Sequence, residues 1–170
     1  MAPETELACE AAHGGAEPVQ RERTLVAVFA SPVSRYLLAY ARDLGYHAVL
    51  FEPDAERAAE ADGVEVVTSA PEVDGSADVV VTDHHRRELG TVLRDVLVHP
   101  ARWIGVLGNP RHPGPHAAAL AALDVSAVDI ARVHRPVGLN IGSRTPPEIA
   151  IATLAGLIAD RNGRPGGFEF

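Results

Sequence analysis

Short apolar runs that alternate with helix-patterned stretches restrict this chain to few architectures. The runs lie at 25–29 (LVAVF), 48–51 (AVLF), 64–68 (VEVVT), 78–82 (DVVVT) and 103–107 (WIGVL). Most are continuously apolar, the pattern of strands buried on both faces. Between them, 33–44 has helical spacing and stops at Gly45, 54–62 reads as a polar helix or turn, 87–97 as a helix and 116–123 as a small Ala-rich helix. A loop with Pro71, Gly75 and Ser76 precedes the fourth run, and a Pro/Gly-rich loop over 109–115 follows the fifth. Ser126 and Asp129 mark a further helical turn, 134–140 supplies the last strand, and 146–161 is a long apolar helix ended by Asn162 and Gly163. This order predicts an α/β fold, a doubly wound, mostly parallel Rossmann-like sheet of about six strands.

Composition removes several kinds of chemistry. All 15 basic residues are arginine, so there is no lysine for a pyridoxal Schiff base or a nucleotide-binding P-loop. The single cysteine, Cys9, allows neither an internal disulfide nor a cysteine-cluster metal site. A net charge of −8 argues against nucleic acid as a partner. No apolar run is long enough to span a membrane and no signal-peptide pattern opens the chain, which predicts a cytoplasmic protein without membrane contact. Residues 1–22 carry five acidic residues against one arginine and read as a disordered acidic tail. The folded domain is expected over 23–163, with a C-terminal tail at 164–170 whose Phe168 and Phe170 offer an interface contact.

The most specific string is 135–155, RPVGLNIGSRTPPEIAIATLA. Thr145 and Glu148 form a capping box, and Pro146 sits at the first helical position, where its missing N–H costs nothing. Gly138 and Gly142 suit a turn with backbone freedom. The string resembles the end of the Rossmann domain of the XdhC/CoxI family, maturation factors of molybdenum hydroxylases, in which H-x-P-I-G-L-x-I-G-x-x-T-P-E-E-I-A is typical. His134, Pro136, Gly138, Leu139, Ile141, Gly142, Thr145, Pro146, Glu148, Ile149 and Ala150 fit, and Pro147 replaces the first glutamate. The resemblance covers about 24–163 and implies an accessory protein that binds the molybdenum cofactor (molybdopterin) and delivers it to an apo-molybdenum hydroxylase. Family members usually carry a further N-terminal domain, so the resemblance implies either a separately encoded partner of that type or a loss of the activity.

Four places are candidates for chemistry, all beyond the carboxyl ends of strands, where open α/β sheets bind ligands. The first is the turn after the first strand. The family's G-A-G-H-V-G is replaced here by Phe29-Ala30-Ser31-Pro32-Val33-Ser34, so all three glycines are gone. Phe29 puts a ring into the turn and Pro32 removes a backbone N–H, which makes NAD(P) an unfavoured cofactor. Ser31 and Ser34 are either phosphate ligands or helix caps, and Glu52 is either a ribose ligand or, as the residues favour, a solvated residue at a strand end. The second place is Thr82-Asp83-His84-His85, where the family carries T-H-D-H; Asp83 and His84 suit metal or proton-transfer work, His84 can also meet a phosphate, and local capping by Asp83 at the start of the next helix is the plainer reading. Neighbouring side chains leaving a strand are expected to point apart.

The third place, after the fifth strand, matches the family's G-S-R-x-x-R through Gly108 and Arg111, with Asn109 for serine. Arg111 offers a fork for phosphate or carboxylate. His112 and His116 have helical ligand spacing, but Pro113, Gly114 and Pro115 between them argue against a regular helix and hence against zinc. No metal site is predicted. The fourth place is Asn140, Ser143 and Arg144 before the last helix, suited to an anion. His47 and His99 read as structural or surface residues.

These readings favour a noncatalytic maturation chaperone. The alternatives are a nucleotide-dependent oxidoreductase with an atypical loop that uses Glu52, and a degenerate Rossmann interaction module whose last helix or C-terminal tail builds a homodimer.

Overall fold

The computed structural model describes His13 and residues 22–109 and 111–167, so the expectations for the acidic tail, Cys9, Phe168 and Phe170 fall outside the described residues. Six strands form one parallel sheet: β1 (Arg23–Val28), β2 (Tyr46–Phe51), β3 (Glu65–Val67), β4 (Asp78–Val81), β5 (Trp103–Val106) and β6 (Val133–His134). Their spatial order is β3-β2-β1-β4-β5-β6, and every adjacent pair is parallel. This is the doubly wound order, with its switch point between β1 and β4.

Period-2 alternation divides the buried strand residues between two faces. Val26, Val28, Val49, Phe51, Val79 and Val81 join Leu89, Val92, Leu93 and Val96 of helix α3 (Leu89–Leu97). Leu25, Ala27, Ala48, Leu50 and Val80 meet the opposite layer, helices α1 (Pro32–Asp43) and α6 (Pro146–Arg161). The short helices α2 (Ala55–Glu60), α4 (Pro115–Ala121) and α5 (Ala127–Ile130) complete the connections. No described helix is long and apolar enough to cross a membrane.

The last strand is shorter than expected. Pairing with β5 involves only Val133 and His134, because Pro136 has no N–H to continue the ladder. The chain instead turns at Gly138 (φ 87°), and the Leu139 N–H donates to Ala152 O on α6 at 3.0 Å. Here two backbones touch: a Cβ on Gly156 would lie 2.8 Å from Gly138 Cα.

Charge anchors α6 at the N-terminal ends of the strands. Asp78, fully buried at the start of β4, accepts from Arg102 Nε at 2.6 Å and Arg161 Nη2 at 2.8 Å, and Arg102 also reaches Asp160 at 2.6 Å. One buried carboxylate thus ties the approach to β5 and the end of α6 to β4.

Candidate functional site

The turn after β1 keeps a glycine-type backbone without a glycine. Phe29 has φ 72°, a left-handed conformation in which a bulky residue is strained, yet its ring is completely buried. Ser31 follows as the N-cap of α1. Its Oγ accepts from Ser34 N–H at 3.0 Å, while Ser34 Oγ accepts from Ser31 N–H at 2.8 Å and donates to Ser31 O at 2.9 Å. Ser31 Oγ also donates to Thr82 Oγ1 at 2.9 Å, and Thr82 Oγ1 lies 2.9 Å from Phe29 O and 3.1 Å from Val28 O. Both serines therefore cap the helix, and Thr82 stitches the end of β4 to β1 across the switch point.

Glu52 is not the solvated residue expected. It is completely buried and each carboxylate oxygen accepts two hydrogen bonds. Ala30 N–H (2.8 Å) and Arg86 Nη1 (3.0 Å) donate to Oε2; Asp54 N–H (3.0 Å) and Arg86 Nη2 (2.8 Å) donate to Oε1. Burial by itself would raise this carboxyl, but the Arg86 fork and the two backbone N–H groups hold it below its ordinary range. The same environment, Glu52 foremost, raises Arg86, whose guanidinium lies 4.5 Å from the Phe29 ring centroid and also contacts Glu88. The corner in which a dinucleotide domain presents a free carboxylate to ribose is closed by a bidentate internal pair. Arg86 had no local signal in the sequence, because its partner is 34 residues away.

Beyond β4 the chain turns at once and α3 does not begin until Leu89. Asp83 Oδ1 accepts from His85 N–H at 2.9 Å, so Asp83 closes this turn and does not start the helix. Because the segment is a turn, His84 and His85 do not diverge; their ring centroids lie 4.0 Å apart. Burial first, then the charges of His85 and Arg135, lower the His84 pKa, against a hydrogen bond to the Leu107 backbone and the charge of Asp83.

An open cleft of about 760 Å3 lies past the ends of β4, β5 and β6. It gathers His84, Gly108, Asn109, Arg111 and Asn140, all expected from the sequence, together with Ser143. Asn109 Oδ1 accepts the Arg111 N–H at 2.9 Å, which leaves its amide N–H groups to donate. The exposed Arg111 side chain makes no ion pair with the described residues. Gly108 serves close approach: the Arg135 guanidinium occupies the space a Cβ would need.

The remaining candidates lie elsewhere. Ser31 and Ser34 line a separate cavity of about 560 Å3 between α1 and α2. Arg144 is exposed outside the cleft, and its N–H and that of Thr145 donate to Glu148 Oε2 at 2.7 and 3.1 Å. The carboxylate of the capping box thus already holds the anion position expected before α6. His112 precedes α4 and His116 lies inside it, so the two do not share a helix. Among the described residues no group of three or more His, Cys, Asp or Glu is placed to hold a metal. His47 pairs with Glu65 at 2.7 Å on the surface.

Residues 25–157 match the XdhC Rossmann domain. The chain belongs to the XdhC family. The uncharacterized protein YqeB of Escherichia coli (strain K12) is 37% identical over 89 residues, 52% of this chain and 16% of YqeB. A crystal structure described as a xanthine dehydrogenase from Bacillus halodurans superposes with a TM-score of 0.65 at 22% identity, covering 88% of this chain and 46% of that one. That likeness shows the shared fold. This XdhC Rossmann domain spans less than half the length of each of these two relatives.

Proposed function

We propose that this XdhC Rossmann domain is a noncatalytic accessory in molybdenum-cofactor maturation, holding the cofactor for transfer to an apo-molybdenum hydroxylase. The observation that supports this reading is which part of the strand-end surface is open. The ribose corner at Glu52 is closed by Arg86, whereas the 760 Å3 cleft, which starts at Val33 and Thr82 beside the switch point, is open and lined by hydrogen-bonding residues. Its donor set fits a phosphorylated pterin: the amides of Asn109 and Asn140 for ring edges, Ser143 as donor or acceptor, and Arg111 for phosphate. With its pKa lowered, His84 is neutral at physiological pH and serves as a hydrogen-bonding group. The bound molybdenum centre would supply redox chemistry to the client enzyme; the domain would orient and shield it. Membership of a family linked to molybdenum hydroxylases points the same way.

The test is purification of the chain with molybdenum cofactor and apo-hydroxylase, with metal analysis and cofactor fluorescence as readouts. Retained cofactor that is lost in N109A and R111A variants supports the reading; no retention and no complex with the hydroxylase overturns it. The oxidoreductase alternative predicts tight binding of NAD, NADP or FAD by calorimetry. Burial of Glu52 under Arg86 argues against that result.

A further inference from the structure

A second cleft, of about 720 Å3, backs onto the first and shares His84 and Asn109 with it. Its remaining polar wall is Arg86, Arg87, His85, His112 and Arg135, with no carboxylate side chain lining it. On a chain of net charge −8, this is a local reversal of sign. Six described arginines sit against carboxylates: Arg57 with Asp54, Arg94 with Asp95, Arg102 and Arg161 with Asp78, Arg132 with Asp129, and Arg86 with Glu52 and Glu88. Within this cleft Arg86 is paired in that way, whereas Arg87 and Arg135 are in no ion pair with the described residues.

Arg135 is held in place by carbonyl dipoles alone. Its Nη1 donates to His112 O at 2.8 Å and its Nη2 to Asn109 O at 3.2 Å, while its Nε is buried with no partner. These contacts orient the guanidinium without neutralising it. Its charge is felt nearby, since Arg135 joins burial in lowering the pKa of both His84 and His116, whose Nδ1 is also buried without a partner. Arg87 is exposed and makes neither a hydrogen bond nor an ion pair with the described residues. The carboxylates in the neighbourhood are already engaged: Glu88 by Arg86, and Asp83 by the N–H of His85.

We propose that this cleft binds the dianion of a phosphate group between Arg87 and Arg135, with His85 and His112 as further hydrogen-bond partners. A guanidinium held by carbonyls, with an unpaired Nε, beside an exposed one in no ion pair suits an oxyanion that accepts several charge-assisted bonds at once. Phosphate supplies those acceptors and the missing negative charge. The cleft is far larger than an inorganic ion, so it has room for the organic part of a phosphate monoester. The site stands independently of the molybdenum reading and is tested without cofactor or hydroxylase.

The experiment is calorimetric titration and thermal melting of the full chain with inorganic phosphate and with glycerol phosphate, against chloride at matched ionic strength. Saturable millimolar or tighter binding is expected. A tighter grip on the ester identifies a phosphorylated ligand as the natural occupant; equal or weaker ester binding identifies free phosphate. Arg87→Ala, which removes no hydrogen bond or ion pair among the described residues, is expected to weaken binding roughly tenfold, as loss of a charge-assisted bond does. Arg135→Lys keeps the charge but loses the fork, and is expected to weaken it as well. Absence of saturable binding to either phosphate, a melting shift matched by chloride, or Arg87→Ala binding as tightly as wild type would overturn the proposal.

Discussion

At Phe29 two opposing terms can be compared. Its left-handed backbone costs about 1–2 kcal/mol for a residue with a side chain, whereas a buried phenylalanine ring contributes about 3–5 kcal/mol against truncation. Burial wins, so Phe29→Gly should lower stability by about 1–4 kcal/mol in urea denaturation despite restoring the residue type that the turn favours. Nucleotide binding should not return with it, because Glu52 remains paired; tight NAD binding by this variant would show that the ring alone blocks the site. The pair itself gives a sharper prediction. Arg86→Met leaves a buried carboxylate with only its two backbone donors, a loss on the order of 3–5 kcal/mol. Combining it with Glu52→Gln, which retains an acceptor but no charge, should recover more than half of that loss in a double-mutant cycle.

At the scale of elements, the contact between the turn at Gly138 and helix α6 decides how the strand-end cleft is shaped, since Gly138 lines it. Gly156→Ala would press a methyl group against the Gly138 backbone, where no flexible side chain can yield. The expected cost is about 1–3 kcal/mol, with weakened ligand retention in the cleft as the loop shifts. A stable variant with unchanged retention would show that the loop has freedom to move. Much at this scale was legible in the sequence. Local chemistry placed α6 to the residue, because Pro146, Glu148 and the stop after Arg161 all act within one turn of the helix ends. It misplaced the last strand because the apolar character of 134–140 outweighed Pro136, the residue that ends the ladder. Five of the expected cleft residues, His84, Gly108, Asn109, Arg111 and Asn140, converge because strand ends share one edge of any parallel sheet. Arg86 and Arg135 were missed for the complementary reason: their roles come from partners far along the chain, which periodicity and capping rules do not report.

Across the whole molecule, the partly and fully buried titratable groups should give stability a two-stage dependence on pH. Burial is the first cause that holds His84 and His116 below the ordinary histidine value of 6.5, with Arg135 adding to both and His85 to the first. Asp83 and the Leu107 backbone oppose this at His84 without reversing it. Between the folded values and 6.5 the unfolded chain binds more protons, so stability rises with pH there and acidification through that window lowers it. Glu52 acts lower down. Its folded pKa lies below the ordinary 4.5, so its contribution is complete above that value and is lost as pH falls through the depressed one. Urea midpoints measured from neutral pH down to about 3 should therefore fall in two steps. Replacing His84 and His116 by Gln should flatten the first, and Glu52→Gln should reduce the second, which Asp74, Glu88, Asp129 and Glu148 share. A single step unaffected by the histidine substitutions would mean that both rings take up protons in the folded state as readily as in the unfolded chain.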